Sequence, residues 1–435
     1  METLESIMRG GFEDYRDFVN PWIYGRAELA GEPIRFVRAE AGRVVLEDGR
    51  ALEDFHGTQA FGHRHPAIAA AIRAFLDSDA PNWFPSRVNP FAGRLARRLC
   101  ERSGAYDRVY FACSGSDGVE AALKLARAAT RRPRILGLDR GYHGCTFGSV
   151  SLMHDGPFRE PFGPHLPGAE HLPWGDVDAL ARALGEGDVA AVVVEPVQGE
   201  GGVRELPERY VDAVCELTRR HGALLVADEV QTGMGRSGHF LKSASWPRRP
   251  DAVILAKQLG GGLAPISAML TTGAWFERAY GADFEDGESH NMTMSYNALT
   301  AVAALAALDV LDEPLLARVR ALGASFRASL AESLRGSPLF SGEVRGVGFM
   351  LGVPLVQPDH PWVSFEQLGF PALAGRPTIG PLVAARLYRR GYFTFVCGHD
   401  WSILRLQPRF DVPEATLLAL AADCRRELDA IAEVV

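Results

Sequence analysis

Lysine is nearly absent from this chain: Lys124, Lys242 and Lys257 are the only three, against 46 lysines and arginines together. A codon bias toward arginine would produce the same ratio, so the setting of each lysine carries more than the count. Long apolar runs are also missing. No stretch approaches the roughly 20 residues of a membrane-spanning helix. The N-terminus METLESIMRGGFEDYRDF lacks the apolar core of a secretory signal, so the expected compartment is the cytoplasm and no membrane partner is expected. Six cysteines (Cys100, Cys113, Cys145, Cys215, Cys397 and Cys424) are widely spaced, without a CxxC pair or a Cys/His cluster of zinc spacing. That pattern argues against a disulfide framework and a metal site and favours reduced thiols. No basic stripe is present either. The balance of 46 basic and 54 acidic side chains, net charge −8, gives no electrostatic footprint for nucleic acid.

What is present is an ordinary globular composition, 47% hydrophobic and 23% charged, on a chain of 435 residues. That length exceeds what one hydrophobic core usually serves, so two units are expected. From about Arg35 to Phe55 short strands flank the EDGR turn, and PAIAAAIRAFLDS has helical patterning. From there to about Leu311 apolar runs alternate with helical ones: RVYFAC and GVEAALKLARAA, RILGLD followed by a loop, AAVVVEP, YVDAVCELTRRHG, LLVADEV, DAVILAK and SAMLTT. Such alternation predicts a largely parallel sheet covered by helices on both faces, with binding residues at the carboxyl ends of its strands. The helix ALTAVAALAALDVL closes this region. A long amphipathic helix from about Pro314 to Leu334 leads into a smaller unit. It contains VRGVGFMLGVPL, an aromatic- and proline-rich insertion from Gln357 to Pro377, GPLVAARLYRRG, SILRLQP and a terminal helix. With no obvious linker, the two units are expected to pack tightly.

Four segments fall where strands should end. In ACSGSDGVEAALKLAR a strand runs through a small polar turn, Ser114-Gly115-Ser116, into a helix, and free N–H groups at a helix start suit a phosphate. An ordinary helix cap is the better reading of that turn taken alone. GYHGCTFG puts Tyr142 and His143 at another strand-to-helix loop, where an aromatic ring can cover a planar heterocycle or simply fill a core. In LLVADEVQTGMGRSG, Asp228 follows five apolar residues, so it is expected to be buried and to need a partner: a pyridinium N–H or an arginine. Lys257 ends DAVILA and precedes QLGGG, a strand reaching a flexible turn. A desolvated amine there has a lowered pKa and can form a Schiff base with a carbonyl. Asp228 and Lys257 lie 29 residues apart, about one strand-helix-strand unit, so both can end neighbouring strands. Lys124 reads as a helix-face residue and Lys242 as a loop residue. An acid for a ring nitrogen, an amine for an aldehyde, an anion site and an aromatic face together are what pyridoxal phosphate requires.

On those residues, and on GHRHPAIAAAI, VVVEPVQGEGGV, PDAVILAKQLGGGLAPISAML, HNMTMSYNALTAVAAL, RGVGFMLG and ILRLQP, the chain from about 35 to 412 resembles the class III pyridoxal-phosphate aminotransferases of fold type I. The resemblance implies an α/β fold. A large unit, 59–312, would carry a mostly parallel seven-stranded sheet flanked by helices, and a smaller α+β unit, 313–435, would be completed by the N-terminal segment 1–58, which also joins a dimer interface. It implies pyridoxal 5'-phosphate as cofactor. Lys257 would form the Schiff base and shuttle the proton, and Asp228 would keep the ring nitrogen protonated. Gly115 and Ser116 would bind the phosphate, and Tyr142 would stack on the ring with His143 among the cofactor contacts. Val230 would pack on the other face, and Gln231 would reach the phenolic oxygen. Thr293 would reach the phosphate of a neighbouring subunit in a homodimer. Glu195 would act behind the cofactor. Glu200 would pair with Arg405, the arginine expected to bind a substrate carboxylate. Trp22 and Tyr24 would line the entrance or the dimer interface.

The expected activity is transfer of an amino group from an amino acid or amine to a ketone, aldehyde or keto acid in two half-reactions. A racemase, aminomutase, lyase or decarboxylase on the same scaffold, or a non-catalytic homologue, are the alternatives. The chain departs from the family pattern at Asp117 (usually Glu), Gly118 (usually Ala), Cys145 (usually Arg), and Ser295 and Tyr296 (usually paired glycines). The loop DFHGTQAFG is also shorter than usual, and the insertion around Trp362 and Phe365 borders the same region.

Overall fold

A computed structural model describes residues 2–28, 35–84, 88–154, 156–281 and 284–435. Its centre is a seven-stranded sheet in the spatial order Arg108–Ala112, Ser267–Thr271, Ala252–Leu255, Leu224–Asp228, Val189–Val194, Arg134–Leu138 and Ala169–Leu172. Ser267–Thr271 runs antiparallel to both neighbours and the remaining pairs are parallel. The central strands are apolar on both faces. Val189–Val194 (VAAVVV) and Leu224–Asp228 are buried at every position, as a sheet covered by helices on both sides requires.

The helix Gly115–Thr130 lies on one face with a stripe of small residues, Gly118, Ala121, Ala122 and Ala126, turned to the strands. Gly118 explains one departure from the family pattern. A Cβ there would stand 2.8 Å from Ile254 Cγ2, so alanine would fit only if the Ile254 side chain gave way. Asp117 explains another: its carboxylate accepts from the backbone N–H and the hydroxyl of Ser114, while Ser114 Oγ accepts from the Asp117 N–H at 3.2 Å. That reciprocal cap fixes the start of the helix. On the other face, helix Ala298–Val310 is apolar nearly all round and is sandwiched into the largest core beside Pro66–Leu76.

Three elements extend the sequence reading. The segment taken as a loop after RILGLD contains the edge strand Ala169–Leu172 and the helix Val177–Gly185, and Pro90–Ser103 is a further helix. AEHL is too short and too polar to show strand periodicity, and it becomes a strand because Arg134–Leu138 offers it an open edge. The arginine-rich PFAGRLARRLCERS looks like solvent-facing sequence, yet it buries Leu95 and Leu99 completely.

A second sheet orders Arg345–Val347, Met350–Pro354, Ile403–Leu406 and Phe395–Val396, all antiparallel. A third joins Phe36–Glu40, Arg43–Leu46 and Ala51–Asp54 to Tyr392–Phe393, so N-terminal strands are completed by C-terminal sequence. The insertion is tied at its base by Gln357, whose Oε1 accepts from the N–H groups of Thr378 and Ile379 while its amide donates to the Val363 carbonyl. Among the described residues no helix is long and apolar enough to cross a membrane.

Candidate active site

Four adjacent parallel strands end at one place. The loop after Arg134–Leu138 brings Tyr142 and His143, and Val189–Val194 leads directly to Glu195. Leu224–Asp228 ends on Asp228, and Ala252–Leu255 stops two residues before Lys257. Parallel strands align their carboxyl ends, so residues far apart in sequence share one floor.

Asp228 and His143 are buried and joined: Asp228 Oδ2 lies 2.8 Å from His143 Nδ1, and Asp228 Oδ1 accepts from the Val230 N–H at 3.1 Å. The partner expected for Asp228 was a ring N–H or an arginine. Within this chain it is His143, which no local motif links to it across 85 residues. Burial alone would lower the His143 pKa, but the hydrogen bond and charge of Asp228, with Glu195 nearby, raise it overall. Glu195 accepts from the N–H groups of Tyr142 and Gly199, both at 3.0 Å, and burial pushes its pKa up to about 7.

Lys257 projects into a deep cleft. Its side chain can be reached from solvent, yet the surrounding protein keeps most water away, and desolvation lowers its pKa despite Glu200, Asp228 and Glu195 around it. The other two lysines are accounted for otherwise: Lys124 is an exposed helix residue beside His290, and Lys242 pairs with Glu205 at 2.5 Å.

Opposite the strand ends is the Ser114–Ser116 turn. A Cβ on Gly115 would stand 3.0 Å from Val230 Cγ1, and one on Gly144 would stand 2.2 Å from Ser116 Oγ, so both glycines keep this cradle open. Ser116 Oγ accepts from the Cys145 N–H at 3.0 Å, which leaves its O–H free to donate elsewhere. Tyr142 is half-buried with its hydroxyl 3.4 Å from Cys145 Sγ. Val230 sits over Gly115. The Gln231 side chain lies against Gly199, near Gln407 Nε2.

One wall comes from the second sheet. Arg405, on Ile403–Leu406, forms an ion pair with Glu200, whose other oxygen accepts from the Gly398 N–H at 2.8 Å. Burial would raise the Glu200 pKa, but Arg405, Gly398 and Lys257 outweigh it and hold it below the usual range. The short loop DFHGTQAFG is held by the same region: the Gln407 N–H donates to Phe55 O, the Phe410 N–H to Ala60 O, and the buried Arg236 to Gly57 O.

The remaining expected residues stand apart within one chain. Thr293 is exposed, its carbonyl accepting from Trp83 Nε1 at 3.2 Å. Tyr296 packs edge-on against Tyr110 and Phe111. Trp22 is 86% exposed, and the Tyr24 hydroxyl accepts from Arg35 at 3.3 Å on a helix packed against the turn preceding it. The sequence reading missed His399. It lies between motifs, on the loop that holds Glu200, and only the fold brings its ring to Tyr142, His154 and Phe158.

The residues fit pyridoxal phosphate. The glycine-lined turn at the start of a 16-residue helix suits a phosphate, and the buried Asp228 carboxylate suits a protonated ring nitrogen. Lys257 supplies the amine.

A family profile described as "Aminotransferase class-III" matches residues 26–420. An acetylornithine aminotransferase from Corynebacterium efficiens is 39% identical over 337 residues, covering 75% of this chain and 81% of that protein. The aminotransferase PigE from a Serratia species is 35% identical over 349 residues, 79% of this chain, which spans only 41% of that longer relative. Among solved structures, an ornithine aminotransferase from Toxoplasma gondii superposes over the whole of both chains with TM-score 0.85 at 26% identity. A pyridoxal-phosphate-bound amine transaminase from an uncultivated Pseudomonas species covers 92% of this chain and 94% of its own, with TM-score 0.78 at 30% identity.

Proposed function

The chain belongs to the class III aminotransferases, and from that membership we propose that it moves an amino group from an amino acid or amine to a carbonyl acceptor, using pyridoxal 5'-phosphate and Lys257. The observation that carries the reading is the convergence of His143, Glu195, Asp228 and Lys257 at four adjacent strand ends, facing the Gly115–Ser116 turn.

Pyridoxal phosphate, when bound, supplies an aldehyde that condenses with amines and a ring that withdraws electrons from the carbon beside the captured nitrogen. The chain's residues divide the remaining work. Asp228 would hold the ring nitrogen, and His143 keeps the carboxylate fixed by occupying its other face. Gly115 and Ser116 would take the phosphate through N–H groups and the free Ser116 O–H. Tyr142 would cover one ring face and Val230 the other, with Gln231 toward the phenolic oxygen. Glu195 braces the Tyr142 backbone. The lowered pKa of Lys257 increases its neutral share, so Nζ can attack a carbonyl and afterwards accept or deliver a proton.

Arg405 would bind a substrate carboxylate as a planar fork, with Glu200 neutralising it otherwise. Glutamate or another α-amino acid is therefore the favoured donor. We further propose a homodimer in which Thr293 reaches the partner's phosphate site. The exposed Phe18, Val19 and Trp22 at the N-terminus, and exposed Met294 beside Thr293, support such a contact. Residues 59–312 are taken as the cofactor-binding unit, and 313–435 with 1–58 as the smaller one. The cytoplasm is the proposed compartment.

A half-reaction screen tests the reading: protein loaded with pyridoxal phosphate is mixed with single amino donors, and loss of the visible cofactor absorbance is followed. At least one donor should bleach it, and Lys257→Ala should lower the rate by roughly 10⁵-fold. Borohydride reduction should attach the cofactor to the Lys257 peptide only. Uptake of solvent deuterium at the α-carbon without net amine transfer would replace the proposal with racemisation.

A further inference from the structure

Four unsaturated rings meet beside the wall of the cleft. His399 lies 6.0 Å from Tyr142, 5.3 Å from His154 and 5.8 Å from Phe158 between ring centroids, edge-on to the last two. Tyr142 belongs also to the floor through its N–H bond to Glu195, so this cluster begins one ring away from Lys257 and its acids. The loop carrying His399 is held from two sides. On the inner side the Gly398 N–H donates to Glu200 Oε2 and the His399 N–H to the Glu200 carbonyl. On the outer side the insertion clamps Trp401: Phe365 meets it edge-on at 5.7 Å and the Arg376 guanidinium lies 4.8 Å from its ring centre. The imidazole position is therefore fixed by packing.

The charges around the cluster are already matched. Arg140 pairs with Asp400 at 3.2 Å, and Arg405 with Glu200. Burial, with His154 adjacent, pushes the His399 pKa down to about 4, so its ring is neutral at neutral pH. His399 Nε2 is buried and makes no well-formed hydrogen bond, with the Gly141 backbone as the polar group beside the ring. A second carboxylate on the substrate would meet Glu200 here, and a second ammonium would have to break an existing pair. An uncharged flat ring meets neither cost and gains aromatic contact on several sides.

We propose that Tyr142, His154, Phe158 and His399 form a specificity subsite for an uncharged aromatic or heteroaromatic group on the amine or carbonyl substrate, with His399 as its determining residue. The inference rests on the transaminase reading and names the substrate class for that same site. His399 positions the substrate and takes no part in proton transfer, so its removal acts on binding more than on chemistry.

The test uses the cofactor-loaded protein and two amines differing in one group, 1-phenylethylamine and isopropylamine, with half-saturation and limiting rate of cofactor bleaching measured separately. The wild-type chain should prefer the aryl amine. In His399→Ala that preference should fall about tenfold through half-saturation, with the limiting rate much less affected. His399→Phe, which keeps a ring, should restore most of the preference, whereas His399→Gln should not. Should His399→Ala fail to fold, the Phe and Gln variants make the same comparison. A wild-type chain without aryl preference, or a ratio unmoved by His399→Ala and His399→Gln, overturns the subsite while leaving the transaminase reading intact. A wild-type chain bleached by no amine or amino acid overturns the parent reading and the subsite with it.

Discussion

The floor and the wall of the cleft handle charge in opposite ways. On the floor, His143, Glu195 and Asp228 are sealed in the interior, and burial is the largest influence on two of the groups there: it raises the pKa of Glu195 to about 7 and lowers that of Lys257 above it. On the wall, Glu200 and Arg405 neutralise one another, and Glu200 stays ionised although it too lies inside the cleft. A floor of this kind stores chemical readiness, because moving one proton changes the whole group. A matched wall stores recognition, because either partner can be exchanged for a substrate charge at modest cost.

Substitutions can break this contrast. The largest effect is expected for Asp228→Asn, which keeps the shape of the floor and removes its charge. Turnover should drop by roughly 10³-fold, with half-saturation for the amino donor changing far less, in single-turnover kinetics. Next is the pH dependence of stability. Glu195 has a folded pKa near 7, above the ordinary 4.5, so the folded chain holds the extra proton and stability should fall as pH rises from about 4.5 to 7, then level off. The slope should amount to on the order of 3 kcal/mol across that window in cofactor-free protein, and thermal melts of Glu195→Gln should lack it.

On the wall, Arg405→Lys keeps the charge and loses the planar fork. It should raise half-saturation for glutamate roughly 30-fold while an amine without a carboxylate is affected little. The smallest effect lies behind the floor. Gly118→Ala should cost about 1–2 kcal/mol by pressing on Ile254, whereas Gly93→Ala, in an exposed stretch of helix with nothing within 4 Å of the new methyl, should be neutral or slightly stabilising. Equal melting shifts for the two glycine variants would show that close packing under the phosphate turn is not what selects Gly118.

The same contrast marks how much the sequence disclosed. On the floor, Asp228 and Lys257 were singled out because each follows an apolar run, where an acid or an amine in mid-core stands out, whereas Glu195 came from family likeness and His143 only from its place in a strand-to-helix loop. The floor's one surprise was the His143–Asp228 bond, a contact between neighbouring strand ends that no spacing rule encodes. The Glu200–Arg405 pair came from family likeness, since 205 residues separate the two. His399 was invisible: an intermediate loop position has no periodicity, and its environment is assembled from three distant segments and an insertion. Ala169–Leu172 was missed for a related reason, because an edge strand is specified by its neighbour more than by its own residues.

Arg236 carries a consequence for how the chain can be divided. Wholly buried, it forms no ion pair with an acid among the described residues and is instead held by the carbonyls of Gly57, Phe349 and Pro408, with the Phe410 ring 5.4 Å away. A cation solvated only by carbonyls from the start, the late middle and the near end of the polypeptide acts as a completeness check. Any fragment lacking one of those segments would carry a bare charge in its interior. The sheet that builds the floor therefore should not fold as an excised piece, and a nascent chain should remain open until residue 408 has been made.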